Sequence, residues 1–294
     1  MAKTAEKIEQ KIEQKRERPA PPRNAASEST APRSGAFRIA TFNVNSVRSR
    51  LPVLERWLPA SGVDLLFLQE TKASDADFPA AAFEAMGYEV RFCGEKSYNG
   101  VAVVSRVPLE ARFGFGDGSE EPDFPTRVLF VKTPKIAVLN TYVPQGKDLA
   151  HPDYLVKKRF LERVRAFFDR EAGDGFPFAW VGDLNVAPAD IDVTHPENKR
   201  DHVCFHTEIR EKFAWVASWG LTDLFRRFHP EEREYTFFDY RVKDALQRNI
   251  GWRIDHVLAN GAGTEKALAC FIDREPRGWE RPSDHTPLAA DFDL

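Results

Sequence analysis

Ala179-Trp180-Val181-Gly182-Asp183-Leu184-Asn185-Val186-Ala187-Pro188 sets an apolar run against an abrupt polar exit. Such a run reads as a buried strand that delivers its last side chains to the C-terminal edge of a sheet, where α/β proteins build their sites. Residues two apart on a strand share a face, so Asp183 and Asn185 are expected to aim at one point. A carboxylate takes a proton from water, and a carboxamide donates hydrogen bonds without adding negative charge, a pairing suited to an anionic phosphate. Taken alone, the four residues Gly182 to Asn185 fit an Asx turn closing a strand equally well.

Working outward, the same grammar recurs. Upstream, Asp153 to Glu171 has helical spacing behind a His151-Pro152-Asp153 start, with Leu155, Phe160, Leu161, Val164 and Phe167 or Phe168 expected to face inward. Phe37 to Asn45 alternates like a strand and ends in Asn43 and Asn45, expected on one face. Helical periodicity over Val53 to Leu58 leads into Asp64-Leu65-Leu66-Phe67-Leu68-Gln69-Glu70, a buried strand ending in a carboxylate. Further strands are expected at Tyr88 to Phe92, Val101 to Ser105, Arg127 to Lys132 and Ile136 to Tyr142. Turn signals at Tyr98-Asn99-Gly100 and Thr133-Pro134-Lys135 separate them and imply antiparallel hairpins.

Downstream, a polar stretch through Lys199-Arg200-Asp201-His202 precedes a helix expected from Glu208 to Trp219, with Phe213 and Val216 inward. Then come the aromatic run Tyr235 to Arg241, a strand over Gly251 to Leu258 that carries Asp255, and the closing stretch Ser283 to Phe292. No linker or repeat divides residues 37–294, which are read as one domain. Residues 1–36 are charged, then rich in Pro, Ala and Ser, and Ile8 and Ile12 are too few apolar residues for a stable helix. They are read as a disordered tail, a solubilising extension or a loose hold on DNA.

Composition sets the outer bounds. Of 294 residues, 42% are hydrophobic, enough for one large core. The first 36 residues hold eight Lys/Arg and five Asp/Glu. Taking these from the chain's 42 and 45 leaves 34 and 40, so the body is net −6. Any nucleic acid must therefore meet a local basic patch, or carboxylates whose field a divalent cation reverses. Cys93, Cys204 and Cys270 are odd in number and widely spaced, which suggests neither disulfides nor zinc and makes a reducing, cytoplasmic setting the default. No apolar run is long enough to span a membrane, and no signal peptide is evident.

The expected strand ends offer Asn43, Glu70, Asp183 with Asn185, Asp255, and Asp284 with His285. Oxygen donors without thiolates favour a hard cation, Mg²⁺ or Mn²⁺, over zinc. Phosphodiester hydrolysis needs such a cation, a base for the water and help for the departing alkoxide.

The chain resembles the exonuclease III and apurinic/apyrimidinic (AP) endonuclease family, within the endonuclease/exonuclease/phosphatase superfamily. The resemblance rests on Phe42-Asn43-Val44-Asn45-Ser46-Val47-Arg48, Leu68-Gln69-Glu70-Thr71-Lys72, Asn140-Thr141-Tyr142-Val143-Pro144-Gln145-Gly146, Gly182-Asp183-Leu184-Asn185, Phe238-Asp239-Tyr240-Arg241, Arg253-Ile254-Asp255 and Ser283-Asp284-His285, in the family's order. It implies a deoxyribonuclease I-like, four-layer α/β sandwich with two packed mixed β-sheets flanked by helices.

By resemblance, Glu70 is the principal metal ligand, with Asn43 and Asp284 near the ion. Asp183 activates the water with Asn185, Asp255 orients His285 on the scissile phosphate, and Tyr142 assists at the phosphate or leaving oxygen. Phe237, Trp252 and Ile254 match an apolar pocket for an extruded abasic sugar, or else a core aromatic cluster. Gln145, Gly146 and Lys147 fall where the family probes DNA, and Lys72, Lys96 and Arg241 are expected within reach of phosphates. His195, His202 and His206 are read as solvated loop histidines rather than a second metal site.

The activity so implied is Mg²⁺-dependent cleavage 5′ to abasic sites, with 3′-to-5′ exonuclease and 3′-phosphatase trimming, in base excision repair. The implied partner is double-stranded DNA with abasic or blocked 3′ ends. A cytoplasmic, nucleoid-associated monomer is expected. RNA-end or phosphoinositide hydrolysis, and a non-catalytic DNA-binding protein, are the alternatives.

Overall fold

The computed structural model describes residues 35–173 and 175–294. The expected tail, apart from Gly35 and Ala36, lies outside the described residues. Strands β1 (Phe37–Asn43), β2 (Leu65–Gln69), β3 (Glu89–Glu95), β4 (Tyr98–Ser105), β11 (Ala267–Ile272) and β12 (Leu288–Phe292) form one sheet, in the order β11-β12-β1-β2-β4-β3. Strands β5 (Glu110–Phe113), β6 (Val128–Lys132), β7 (Ala137–Tyr142), β8 (Phe178–Asp183), β9 (Thr222–Asp223) and β10 (Asp255–Ala259) form the second, in the order β5-β6-β7-β8-β10-β9. Both sheets are mixed: β1 with β2 and β7 with β8 run parallel, and the remaining pairs run antiparallel.

The central strands are apolar almost continuously because both of their faces are covered. Ile39, Phe67 and Val103 of the first sheet pack onto Leu129, Val138, Val181 and Val257 of the second. The opposite-parity residues Ala40, Phe42, Leu66 and Leu68 meet Leu54, Trp57 and Leu58 of helix α1 (Val47–Ser61). On the far side, Phe130, Leu139 and Trp180 pack under α3 (Pro152–Glu171) and α4 (Thr207–Ala217). Helix, sheet, sheet, helix is the four-layer sandwich. The shorter helices are α2 (Ala80–Ala85), α5 (Leu224–Phe228) and α6 (Gly261–Lys266).

Several boundaries differ from the sequence expectation. Leu155 is 48% exposed, and Tyr154 and Lys157 take the inward positions of α3 instead, three residues apart and in phase with Leu161, Val164 and Phe168. The turn of the β3–β4 hairpin is Lys96-Ser97; Tyr98-Asn99-Gly100 already belongs to β4, because a register shift at Cys93/Glu95 moves the pairing. Strand β10 starts only at Asp255, and Phe237 and Trp252 ahead of it pair through isolated bridges.

Asn45 and Asn185 stand beyond their strands with φ of 43° and 51°, so strand alternation does not orient either side chain. Gly182 is the one place in β8 where no other residue fits: at φ 131° a Cβ there would lie 2.0 Å from the Thr141 carbonyl oxygen of parallel β7.

Candidate active site

The sheet pairing explains why distant residues converge. β1 and β2 end together, with Asn43 opposite Gln69, and β7 and β8 end together, with Tyr142 opposite Asp183. β10 runs the other way and starts at Asp255, also opposite Asp183. One edge of the sandwich thus collects Asn43, Glu70, Tyr142, Asp183, Asp255 and the Asp284-His285 pair that leads into β12.

Asn43 clasps the two sheets together. Its Nδ2 donates to Glu70 Oε1 at 2.8 Å and to Asp183 Oδ2 at 2.9 Å, while its Oδ1 accepts from the Asn45 amide at 3.0 Å. Beneath them, the buried Gln69 Nε2 donates to Asn140 Oδ1 at 2.7 Å, a second tie between the sheets. Asp183 also accepts from the Asn185 amide at 3.0 Å, and the Asn185 side chain donates to the Val143 carbonyl at 2.9 Å. Asn185 therefore fixes loops through its turn and does not share a strand face with Asp183.

His285 Nδ1 donates to Asp255 Oδ2 at 2.8 Å. Burial opposes the imidazolium, but the charge of Asp255 and the hydrogen bond it accepts, followed by the charge on Asp183, hold His285 up to about 10. Asp183 is pushed up to about 7, by burial first and then by the charge of Asp255, with Glu70 adding and His285 opposing. Burial also pushes Glu70 up, yet the ammonium of Lys72 and the Asn43 hydrogen bond bring it below its ordinary value. Burial and the charges of Glu70 and Asp183 drive Tyr142 well above the usual phenol range. Tyr142 is therefore a neutral O–H donor, with the Arg127 guanidinium 4.4 Å from its ring centroid.

Lys72 and Asn45, neither assigned to the reacting centre from sequence, complete the cluster. Lys72 Nζ lies 2.7 Å from Glu70 Oε2 and donates to Asn45 Oδ1 at 2.6 Å, and Asn45 Nδ2 donates to Asp284 Oδ1 at 2.9 Å. Among the described residues, ligand atoms of Asp183, Asp255 and His285 lie within 4.8 Å of one another. His285 and Asp255 are buried and paired with each other there, whereas Glu70 and Asp284 are only partly buried and so more accessible to a cation. Burial, with the charges of Asp255 and Glu70 added to it, lifts Asp183 to about 7; a hard divalent ion relieves such buried, crowded negative charge, so the donor set fits such an ion.

The expected pocket residues gather beside this centre. The Phe237 ring lies 5.0 Å from that of His285, and Phe237 and Trp252 exchange backbone hydrogen bonds at 2.8 and 2.9 Å. Ile254 packs with Ala187, Val193 and Phe205. Between them Arg253 is buried on Asp192 at 2.7 Å and Asp223 at 2.8 Å, which pins the segment. His202 is not the solvated histidine expected: its ring lies tilted against that of Trp252, 4.6 Å between centroids, and burial lowers it to about 4. His195 is exposed beside Glu197, and the three loop histidines form no common ligand cluster among the described residues.

Gln145 and Lys147 stand apart on an exposed loop, where Gln145 Oε1 accepts from the Lys147 amide and Lys147 Nζ pairs with Asp153 at 2.7 Å. Arg241 pairs with Asp239 at 2.6 Å.

The profile of the Endonuclease/Exonuclease/phosphatase family matches residues 40–285. Exodeoxyribonuclease III of Haemophilus influenzae is 31% identical over 269 residues, covering 87% of this chain and all of that protein. The solved AP endonuclease from Archaeoglobus fulgidus is 43% identical with a TM-score of 0.85, over 88% of this chain and 100% of that one. The 3′ phosphatase NExo from Neisseria, solved with a product DNA hairpin, is 37% identical with a TM-score of 0.82, over 88% of this chain and 100% of that one.

Proposed function

This chain belongs to the endonuclease/exonuclease/phosphatase family, in its exonuclease III and AP endonuclease branch, and from that premise we propose that it incises DNA 5′ to abasic sites. We propose further that it trims blocked 3′ ends and that both activities need Mg²⁺ or Mn²⁺. It is an enzyme, a DNA repair nuclease of the exonuclease III type. One observation carries the finer reading: a general base, a protonated histidine and a neutral tyrosine stand beside an apolar Phe237–Trp252–Ile254 cluster.

In this reading Asp183, ionised and held by Asn43 and the Asn185 amide, takes a proton from water as the water oxygen bonds to phosphorus. The P–O3′ bond breaks, and the 3′ oxygen takes a proton from solvent water as it leaves, to become a hydroxyl. His285, kept protonated by Asp255, donates from Nε2 to a non-bridging oxygen, and Tyr142 donates to the phosphate or the leaving oxygen. Glu70 and Asp284, with Asn43 between Glu70 and Asp183, would hold a divalent cation, which when bound neutralises charge on the phosphate and the departing oxygen. Phe237, Trp252 and Ile254 would accept an abasic sugar and exclude a full nucleotide by size. Gln145 and Lys147 would meet the strand beside the lesion.

Residues 37–294 are proposed as the whole catalytic domain. The proposed unit is a monomer, working in the cytoplasm at the nucleoid, where such a substrate lies. The test is a labelled duplex with one abasic analogue, against the same duplex intact, with Mg²⁺ and with chelator. Metal-dependent incision at the lesion supports the reading. Equal shortening of both duplexes from the 3′ end would remove lesion selection from it, and no product would refute it.

A further inference from the structure

The largest unexplained feature near the site is a buried charge that touches none of the reacting groups. Lys157 sits on the inward face of α3 with no exposed surface, where an ammonium is costly unless its donors are filled. An ammonium has three donors and no acceptor. Here Nζ reaches the carbonyl oxygens of Gln145 at 3.1 Å, Asn185 at 2.7 Å and Val203 at 2.7 Å.

Those carbonyls belong to three segments far apart in sequence, each of which carries part of the site. The first follows Tyr142, the second follows Asp183, and the third joins His202 to Phe205, against which Trp252 packs. The Asn185 side chain adds a tie to Val143, and Cys204 Sγ rests 3.7 Å from Asn185 Oδ1 and 4.0 Å from Lys157 Nζ. Around Gly146 the first loop closes tightly on α3: a Cβ there would lie 3.2 Å from the Tyr154 ring and 3.5 Å from the Lys157 stem.

We propose that Lys157 is a positioning residue of the active site, its ammonium holding the loops behind Tyr142, Asp183 and the Trp252 wall in one arrangement. The inference rests on the nuclease reading for what is positioned. The physical warrant is that three carbonyls left without their donor would each seek water or another partner, and the loops would drift apart.

The test compares the full chain, Lys157→Met, Lys157→Arg and Leu161→Ala, a buried apolar change on the same helix that removes none of the three carbonyl bonds. Two quantities are read: single-turnover incision of an abasic duplex, and the rate at which N-ethylmaleimide labels Cys204 against Cys270, located by peptide mass spectrometry. Lys157→Met is expected to slow incision about 10- to 100-fold with little change in KM, the scale of a roughly 1 Å misplacement. Cys204 labelling should accelerate while Cys270 stays protected, and Lys157→Arg should restore most of both.

The proposal is overturned if Lys157→Met keeps wild-type incision and Cys204 protection. It is also overturned if Leu161→Ala, at an equal fall in Tm, loses as much activity, or if Cys204 and Cys270 open together. Should Lys157→Met not fold, Lys157→Gln is read in the same two assays, and wild-type behaviour in both overturns the proposal. A wild-type chain that leaves abasic DNA uncut refutes the nuclease reading, and the labelling rates still judge the tie.

Discussion

His285 Nε2 stands 3.9 Å from Oδ2 of Asp183, so the two groups face each other across a gap too long for a direct hydrogen bond. The charge of Asp183 raises the proton affinity of His285, whereas His285 lowers that of Asp183, whose rise comes from burial and the charge of Asp255. Asp183 sits at about 7 and His285 at about 10. Incision is therefore expected to rise with pH through about 7 and fall through about 10. Higher Mg²⁺ should move the acid limb downward, because positive charge near Glu70 and Asp183 favours the ionised carboxylate. A pH–rate profile at two Mg²⁺ concentrations checks this, and an acid limb that ignores Mg²⁺ would contradict it.

The same shifts fix the sign of the stability change. Both groups bind a proton more tightly when folded than at their ordinary values of 3.8 and 6.5. Asp183 thus erodes stability as pH rises from 3.8 to about 7. His285 contributes stability that is full below 6.5 and is lost as pH approaches about 10. Thermal melts without metal should show Tm falling from pH 6.5 to 10, and His285→Ala should flatten that slope.

Asp183→Asn removes the base and keeps the shape. Loss of a positioned general base costs about 10²- to 10⁴-fold in rate. Incision should fall by that amount while the circular dichroism spectrum is unchanged, and a variant still cutting at the wild-type rate would assign the base elsewhere.

Asn45 holds Asp284 at 2.9 Å without facing the substrate through a strand. Removing an outer partner of a metal ligand typically weakens the metal by about 10- to 100-fold. Asn45→Ala is expected to raise the Mg²⁺ concentration for half-maximal activity and to weaken Mn²⁺ binding in calorimetry by that factor, with activity recovering at saturating metal.

Trp252→Ala should separate the two proposed activities. The ring belongs to the apolar cluster and not to the Asp183–His285 centre, so abasic incision should fall by roughly tenfold or more, while removal of a 3′ phosphate changes little. Equal loss of both would make the cluster core rather than pocket.

Stability away from the site has one clear test. Arg38 and Asp291 are both buried and join β1 to β12 through two hydrogen bonds, at 2.6 and 2.8 Å. Asp291→Ala removes two buried hydrogen bonds to a charged group and should lower stability in denaturant unfolding by about 1.5–3 kcal/mol for each bond at most.

The apolar runs were enough to place Asn43, Glu70 and Asp183 at the ends of their strands, whereas Asp255 opens β10 and His285 precedes β12. A strand covered on both faces must be apolar along its length, so the first polar residue after it marks the sheet edge. By the same logic the α3 period locates Lys157: Tyr154, Lys157, Leu161, Val164 and Phe168 recur at three- and four-residue steps, a lysine in an inward slot. Taking Leu155 as the inward residue hid that signal.

Which groups touch was decided only by the tertiary structure. Asn43 reaches Asp183 across 140 residues, and His285 reaches Asp255 across 30, because two sheets pack face to face with their site edges aligned. Asn45 and Asn185 leave their strands in left-handed turns, which erases the alternation that would have aimed them. Local periodicity fixes the side of a strand or helix on which a residue lies. Hydrogen-bond partners, and the proton affinities that follow from them, depend on distances between segments that only the packing of the two sheets sets.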